Sequence, residues 1–178
     1  MRCFISVDVE NIFHKVYGRL EGIKGLKLVE PENLHVTLKF LGEITPNKIE
    51  EITEKLEFLK DICKFEITFQ GLGAFPNIRR PRVIWVGIKK NKEKLIDMQS
   101  RLDESLSTIG FKKEKRYEPH LTLARVKSFR ETKKIVEVIE TFHNEKFGNF
   151  IVENVRLKKS VLTPKGPIYT TIREVTLK

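Results

Sequence analysis

Leu34-His35-Val36-Thr37-Leu38-Lys39-Phe40 is the stretch on which the fold turns. Leu34, Val36, Leu38 and Phe40 alternate with His35, Thr37 and Lys39, the pattern of a strand with one buried face, because successive strand side chains point to opposite sides. His120-Leu121-Thr122-Leu123 repeats the order His-x-Thr-Leu inside a second such run. On each strand the histidine and the threonine, two residues apart, share one surface while Val36 or Leu121 turns to the core. The chain has four histidines and twelve threonines, so a single His-x-Thr is weak evidence. Two among four histidines have roughly a 3% chance of arising at random, and the matched strand context lowers that further.

Working outward, residues 2–9 alternate as a strand, and Ile12, Phe13, Val16, Tyr17 and Leu20 then recur at helical spacing. Thr45-Pro46 starts a helix through Ile49, Ile52, Leu56 and Leu59, and a strand follows over 65–70. The second half keeps this order: strand 82–88, a helix through Leu95, Met98, Leu102 and Leu106, strand 120–126, and a helix through Ile135, Val138, Ile139 and Phe142. Two further strands, near 150–156 and 168–177, end the chain. The period, from Arg2 to Arg82 or from His35 to His120, is 80 to 85 residues. This weak duplication, with no Ser/Gly-rich linker, predicts one domain over residues 1–178 made of two pseudo-symmetric lobes that share an interface.

With 40% hydrophobic and 33% charged residues in 178, the chain has material for a real core and too much charge for a membrane protein. No apolar run approaches the roughly 18 residues of a spanning helix, and the opening residues alternate instead of forming a secretory leader, so a cytoplasmic protein is expected. Cys3 and Cys63 fit neither a zinc ribbon nor a disulfide scaffold and read as reduced thiols in apolar surroundings. A formal charge of +10 favours a polyanionic partner such as nucleic acid, although Lys/Glu-rich surfaces also form ion-pair networks in heat-adapted proteins. Basic clusters at Arg79-Arg80-Pro81-Arg82, at 112–116, at Lys158-Lys159 and at Lys165 are placed to track an RNA backbone. Tyr117 and Phe75 are candidates to stack on a base, Trp85 reads as core, and His14 and His143 read as surface residues.

Two facing imidazoles suit a reaction that takes a proton at one point and gives one at another near neutral pH. Phosphoryl displacement is such a reaction, with attacking and leaving oxygens on opposite sides of phosphorus. Thr37 and Thr122 can donate hydrogen bonds to the non-bridging oxygens, and Arg125 can add a full charge. Strict alternation puts Arg125 on the face opposite His120, so it needs a bulge or the strand end to turn it inward. No His-x-x-x-His or His-Glu-x-x-His occurs, and Gly71-Leu72-Gly73 lacks the third glycine of a dinucleotide loop, so no metal or cofactor is implied.

With these motifs the sequence resembles the two-histidine (2H) phosphoesterase superfamily, in particular the 2′-5′ RNA ligase-like RNA 2′,3′-cyclic phosphodiesterases. The resemblance rests on Phe4-Ile5-Ser6-Val7-Asp8, on Asn33 through Glu43, on Arg82-Val83-Ile84-Trp85-Val86-Gly87 and on Pro119 through Arg125. It implies a bilobal, duplicated α+β fold with two mainly antiparallel sheets lining a central cleft and helices outside. It also implies metal-free hydrolysis of an RNA terminal 2′,3′-cyclic phosphate to a 2′-phosphate. By position, His35 is then the proton donor, His120 the proton acceptor, and Thr37, Thr122 and Arg125 the phosphate ligands, in a chain expected to act as a monomer away from membranes. Two alternatives stay open: joining the cyclic end to a 5′-hydroxyl through a 2′-5′ linkage, and an RNA-binding module without catalysis.

Overall fold

A computed structural model describes residues 1–178. The elements run β1 (Arg2–Asp8), α1 (His14–Leu20), β2 (Leu26–Leu28), β3 (His35–Glu43), α2 (Lys48–Lys55), β4 (Phe65–Phe75), β5 (Val83–Ile88), α3 (Lys92–Ser107), β6 (His120–Val126), α4 (Thr132–Thr141), β7 (Lys146–Val152), β8 (Asn154–Thr163) and β9 (Gly166–Thr176). Nine strands stand where the sequence predicts seven, β2 being one of the additions, and the helix predicted through Leu59 ends as α2 at Lys55, with Leu59 in a separate 3-10 turn over Glu57–Asp61. The single strand predicted near 150–156 is instead the end of β7 and the start of β8, with only Glu153 between them.

The strands form one antiparallel path, β7-β4-β5-β6-β3-β1-β8-β9, with β2 on β6. The two expected sheets are therefore joined. Between β3 and β6 only Val36 and Leu121 are in register, so β7-β4-β5-β6 and β3-β1-β8-β9 touch at the His-x-Thr motifs and splay apart elsewhere. Neither group follows a half of the sequence. β4, from the first half, pairs with β5 and β7, while β8 and β9, from the end of the chain, complete the group that starts with β1.

The helices cross between the groups. α1 follows β1 but packs on α4, which lies on β4, and Phe13 at its start meets Phe69 of β4 edge-on at 5.4 Å. α3 follows β5 but packs on β3. Ile135, Val138 and Ile139 of α4 and Leu95, Met98, Leu102 and Leu106 of α3 are the buried faces that the helical spacing anticipated. Together with Val36, Leu38, Leu121 and Leu123 they belong to one contiguous apolar cluster. Truncating one of these leucines to alanine removes about 2–5 kcal/mol, because the surrounding side chains relax only in part.

Cys3 is buried as expected, whereas Cys63 is exposed. His14 and His143 are exposed. No helix is long and apolar enough to cross a membrane.

Candidate active site

Val36 and Leu121 are fully buried on the helix side of the sheet, so their neighbours His35, Thr37, His120 and Thr122 emerge on the other side, each half-buried. The antiparallel register of Val36 with Leu121 sets His35 across from Thr122 and His120 across from Thr37. Each strand thus presents one imidazole and one hydroxyl to a shared cleft, crosswise.

The two histidines are held alike. Nδ1 of His35 lies 2.7 Å from the Asn33 carbonyl oxygen, and Nδ1 of His120 lies 2.8 Å from that of Glu118. A carbonyl only accepts, so both Nδ1 atoms carry their hydrogen and both Nε2 atoms are left to exchange a proton with whatever occupies the cleft. Each ring is also walled by two aromatics. Phe4 and Tyr169 stand 5.1 and 5.5 Å from His35, and Phe75 and Trp85 stand 5.1 and 6.4 Å from His120. Trp85 is therefore not a core residue. It lies between the fully buried Ile84 and Val86 and turns to the cleft, which the apolar run of its strand concealed.

Arg125 reaches the histidine face through a β-bulge. Ile84 pairs with Ala124 but Trp85 pairs with Thr122, so Leu123 is an extra residue and alternation resumes one position late. Arg125, exposed, then stands opposite Val83, on the face that carries Trp85. An equivalent bulge at Leu38, between the pairs Ile5–Lys39 and Ser6–Thr37, reverses the ends of the motif strand. Lys39, expected on the polar face, is 3% exposed, and Phe40, expected in the core, is 70% exposed beside Phe4. Burial pushes the Tyr169 hydroxyl up, while Arg125 pulls the other way from the opposite strand group.

Behind His35 lies an ion cluster that no local pattern announced. Lys158 of β8 is buried, bonded to Asp8, with its ammonium 5.1 Å from the centres of both Phe4 and Tyr169. This is an inward, paired lysine and not an RNA-tracking one. Arg156 bridges Asp8 at 2.7 Å and Glu174 at 2.5 Å. Burial pushes the Asp8 carboxyl up, but the hydrogen bonds from Lys158 and Arg156 outweigh it and hold the group below the usual range. Tyr117 serves as a tie: its hydroxyl donates to the Thr37 carbonyl at 2.8 Å, fastening the approach to His120 onto β3.

Burial pushes His35 down to about 4; the Asn33 carbonyl opposes this and the Lys158 charge adds to it. The site therefore holds His35 neutral at pH 7. Between the unfolded value of 6.5 and the folded value of about 4, the unfolded chain binds a proton that the native site refuses. Stability is then full above pH 6.5 and is lost as pH falls through that window, by on the order of 3 kcal/mol. Urea midpoints at pH 7 and pH 4.5 test this: His35→Gln should lose clearly less stability over that range than the unaltered protein, and equal losses would contradict the shift.

The LigT-like phosphoesterase family model matches this chain twice, over residues 7–85 and 86–169. The chain belongs to this family. Two archaeal relatives, each named RNA 2′,3′-cyclic phosphodiesterase, are 41% identical in Archaeoglobus fulgidus, over 97% of this chain and 98% of theirs, and 44% identical in Methanocaldococcus jannaschii, over 98% and 99%. The crystal structure of TT0787 of Thermus thermophilus superposes with a TM-score of 0.83 at 26% identity, covering 99% of this chain and 97% of that one. The two matches divide this LigT-like phosphoesterase between its paired His-x-Thr strands, one in each.

Proposed function

We propose that this LigT-like phosphoesterase opens the 2′,3′-cyclic phosphate at the end of an RNA, leaving a 2′-phosphate and a free 3′-hydroxyl. The observation that carries this is the crosswise pair of imidazoles, each with Nδ1 fixed on a carbonyl and Nε2 free. Near-full-length relatives that bear the name of this activity, several at about 40% identity, support hydrolysis over the joining reaction and over a catalytically silent module.

In this reading Nε2 of His120 takes a proton from water as its oxygen attacks phosphorus. The bond from phosphorus to the 3′-oxygen breaks, and His35 gives its Nε2 proton to that oxygen. Thr37, Thr122 and Arg125 hold the non-bridging oxygens as their charge grows. Solvent then returns a proton to His35 and removes one from His120. A His35 of about 4 is a strong acid that is rarely charged in the free protein. The anionic substrate supplies the missing countercharge, so the proton arrives with the phosphate. That same low value favours a second reading with the two roles exchanged, which the sulfur substrate described in the Discussion separates.

The proposal extends to one catalytic unit over residues 1–178, acting as a cytoplasmic monomer. No three His, Cys, Asp or Glu side chains converge as a metal-holding group. The charge and proton transfer assigned here come from side chains alone, so an oligonucleotide ending in a 2′,3′-cyclic phosphate should be opened at an undiminished rate in excess chelator. Activity that disappears and returns with a divalent cation would overturn the mechanism, and a product with a 3′-phosphate would overturn the assigned leaving oxygen.

A further inference from the structure

The cleft does not end at His120. Next to it an open hollow of about 660 Å³ runs along β4 and β5, with Gly73, Ile78 and Trp85 on its apolar side and Arg79, Arg80 and His143 at its rim. Such a volume is in the range that holds a nucleotide-sized ligand. Trp85 belongs to both places: its ring is 6.4 Å from that of His120, and it forms a wall of the hollow. The ring lies directly on the backbone of Gly73, where a Cβ would come within 2.3 Å of it. It is a fixed platform.

The rim is electrically free. Arg79 and Arg80 are exposed and take part in no ion pair, whereas Lys113 is paired with Glu104 and Lys158 with Asp8. The Asn77 side chain accepts the Arg80 backbone N–H at 2.9 Å, which fixes the turn that carries them. Two unneutralised guanidiniums beside an apolar wall suit a phosphodiester next to a base.

We infer that the hollow receives the nucleotide immediately 5′ of the cyclic end, with its base against Trp85 and Ile78 and the phosphodiester that links it to the terminal ribose against Arg79 and Arg80. The direction follows from chemistry. A 2′,3′-cyclic phosphate occupies both lower oxygens of the terminal ribose, so the chain leaves the reaction centre only through the 5′-oxygen. The inference rests on the cyclic phosphodiesterase reading and adds to it that the substrate is an RNA chain end in preference to a mononucleotide.

The test compares a mononucleoside 2′,3′-cyclic phosphate with a dinucleotide carrying the same terminal nucleoside, in the unaltered protein and in Arg79→Ala/Arg80→Ala. The unaltered protein should favour the dinucleotide by about ten-fold or more in kcat/KM, since stacking one base and contacting one phosphate are each worth about that much. The double variant should lose this preference and flatten the salt dependence on the dinucleotide, while its kcat/KM on the mononucleotide stays unchanged. Equal losses on both substrates, or no loss on either, would overturn the inference. Trp85 is the sole tryptophan, so its fluorescence follows binding of the corresponding 2′-phosphate products without any turnover. Selective, arginine-dependent quenching by the dinucleotide supports the hollow even if neither cyclic substrate is opened, and that second result would count against the hydrolytic reading alone. Quenching by both products that ignores the arginines would overturn the inference.

Discussion

Replacing His35 or His120 with alanine is expected to lower kcat on a cyclic-phosphate RNA end by about 10²–10⁴-fold, with the protein still folded, because each removes one proton transfer from the transition state. The fold tolerates the change since both rings are only half-buried and lie on the cleft side of a sheet whose core face is made by Val36 and Leu121. The two variants should part company on a substrate whose 3′-bridging oxygen is replaced by sulfur. A thiolate leaves without a proton, so the loss caused by His35→Ala should largely disappear while that caused by His120→Ala remains. The opposite pattern would exchange the roles, with His35 as base. Near-normal turnover of either variant on the ordinary substrate would remove the paired-histidine mechanism altogether. A pH profile alone does not make this distinction, because both assignments need the pair to carry one proton and give the same bell.

The second large effect lies behind the site. Lys39→Met should destabilise the protein by about 3–5 kcal/mol, the usual cost of leaving a buried charge without its partner. Lys39 and Asp103 approach to 2.6 Å with side chains only 2% and 6% exposed. Lys39 also donates to the Lys112 carbonyl at 2.7 Å, and Asp103 accepts the Glu114 N–H at 2.6 Å. The pair thus pins α3 and the segment before β6 to the back of β3. That segment carries Tyr117, tied to Thr37, and Glu118, whose carbonyl orients His120. A fall in kcat is therefore expected to accompany the loss of stability. The double variant Lys39→Met/Asp103→Leu should recover most of the stability in urea melts, since it removes both charges. Lys48→Ala, which breaks an exposed pair with Glu51, should cost no more than about 1 kcal/mol. If Lys39→Met costs as little as that surface change, the buried pair does not hold the segment.

The neighbours of the two histidines explain why the candidate site could be read only in part. His35, Thr37, His120 and Thr122 were legible because a strand alternates with period two, a local property that any short window displays. Arg125 was legible as a residue type and not as a position, because its orientation hangs on the bulge at Leu123. Lys158 and Tyr169 could not be found from their surroundings in the chain, since β8 and β9 approach His35 only after pairing with β1 from the other end of the sequence. Trp85 was misplaced for a related reason: an apolar strand with an apolar, half-covered cleft face has the composition of one buried on both sides.

By itself the sequence determined the duplicated order of strands and helices, the face shared by each histidine and its threonine, and the apolar stripes of α3 and α4, because all of these follow from spacing along a few turns or a few strand residues. The tertiary structure alone decided which strands lie side by side. It set β4 beside β5 and β8 beside β1, so that the groups cross the boundary between the sequence halves. It also decided that Lys39 turns in and Phe40 out. A bulge depends on the register against a partner strand, and that register is chosen by packing across the whole sheet and not by the residues that bulge.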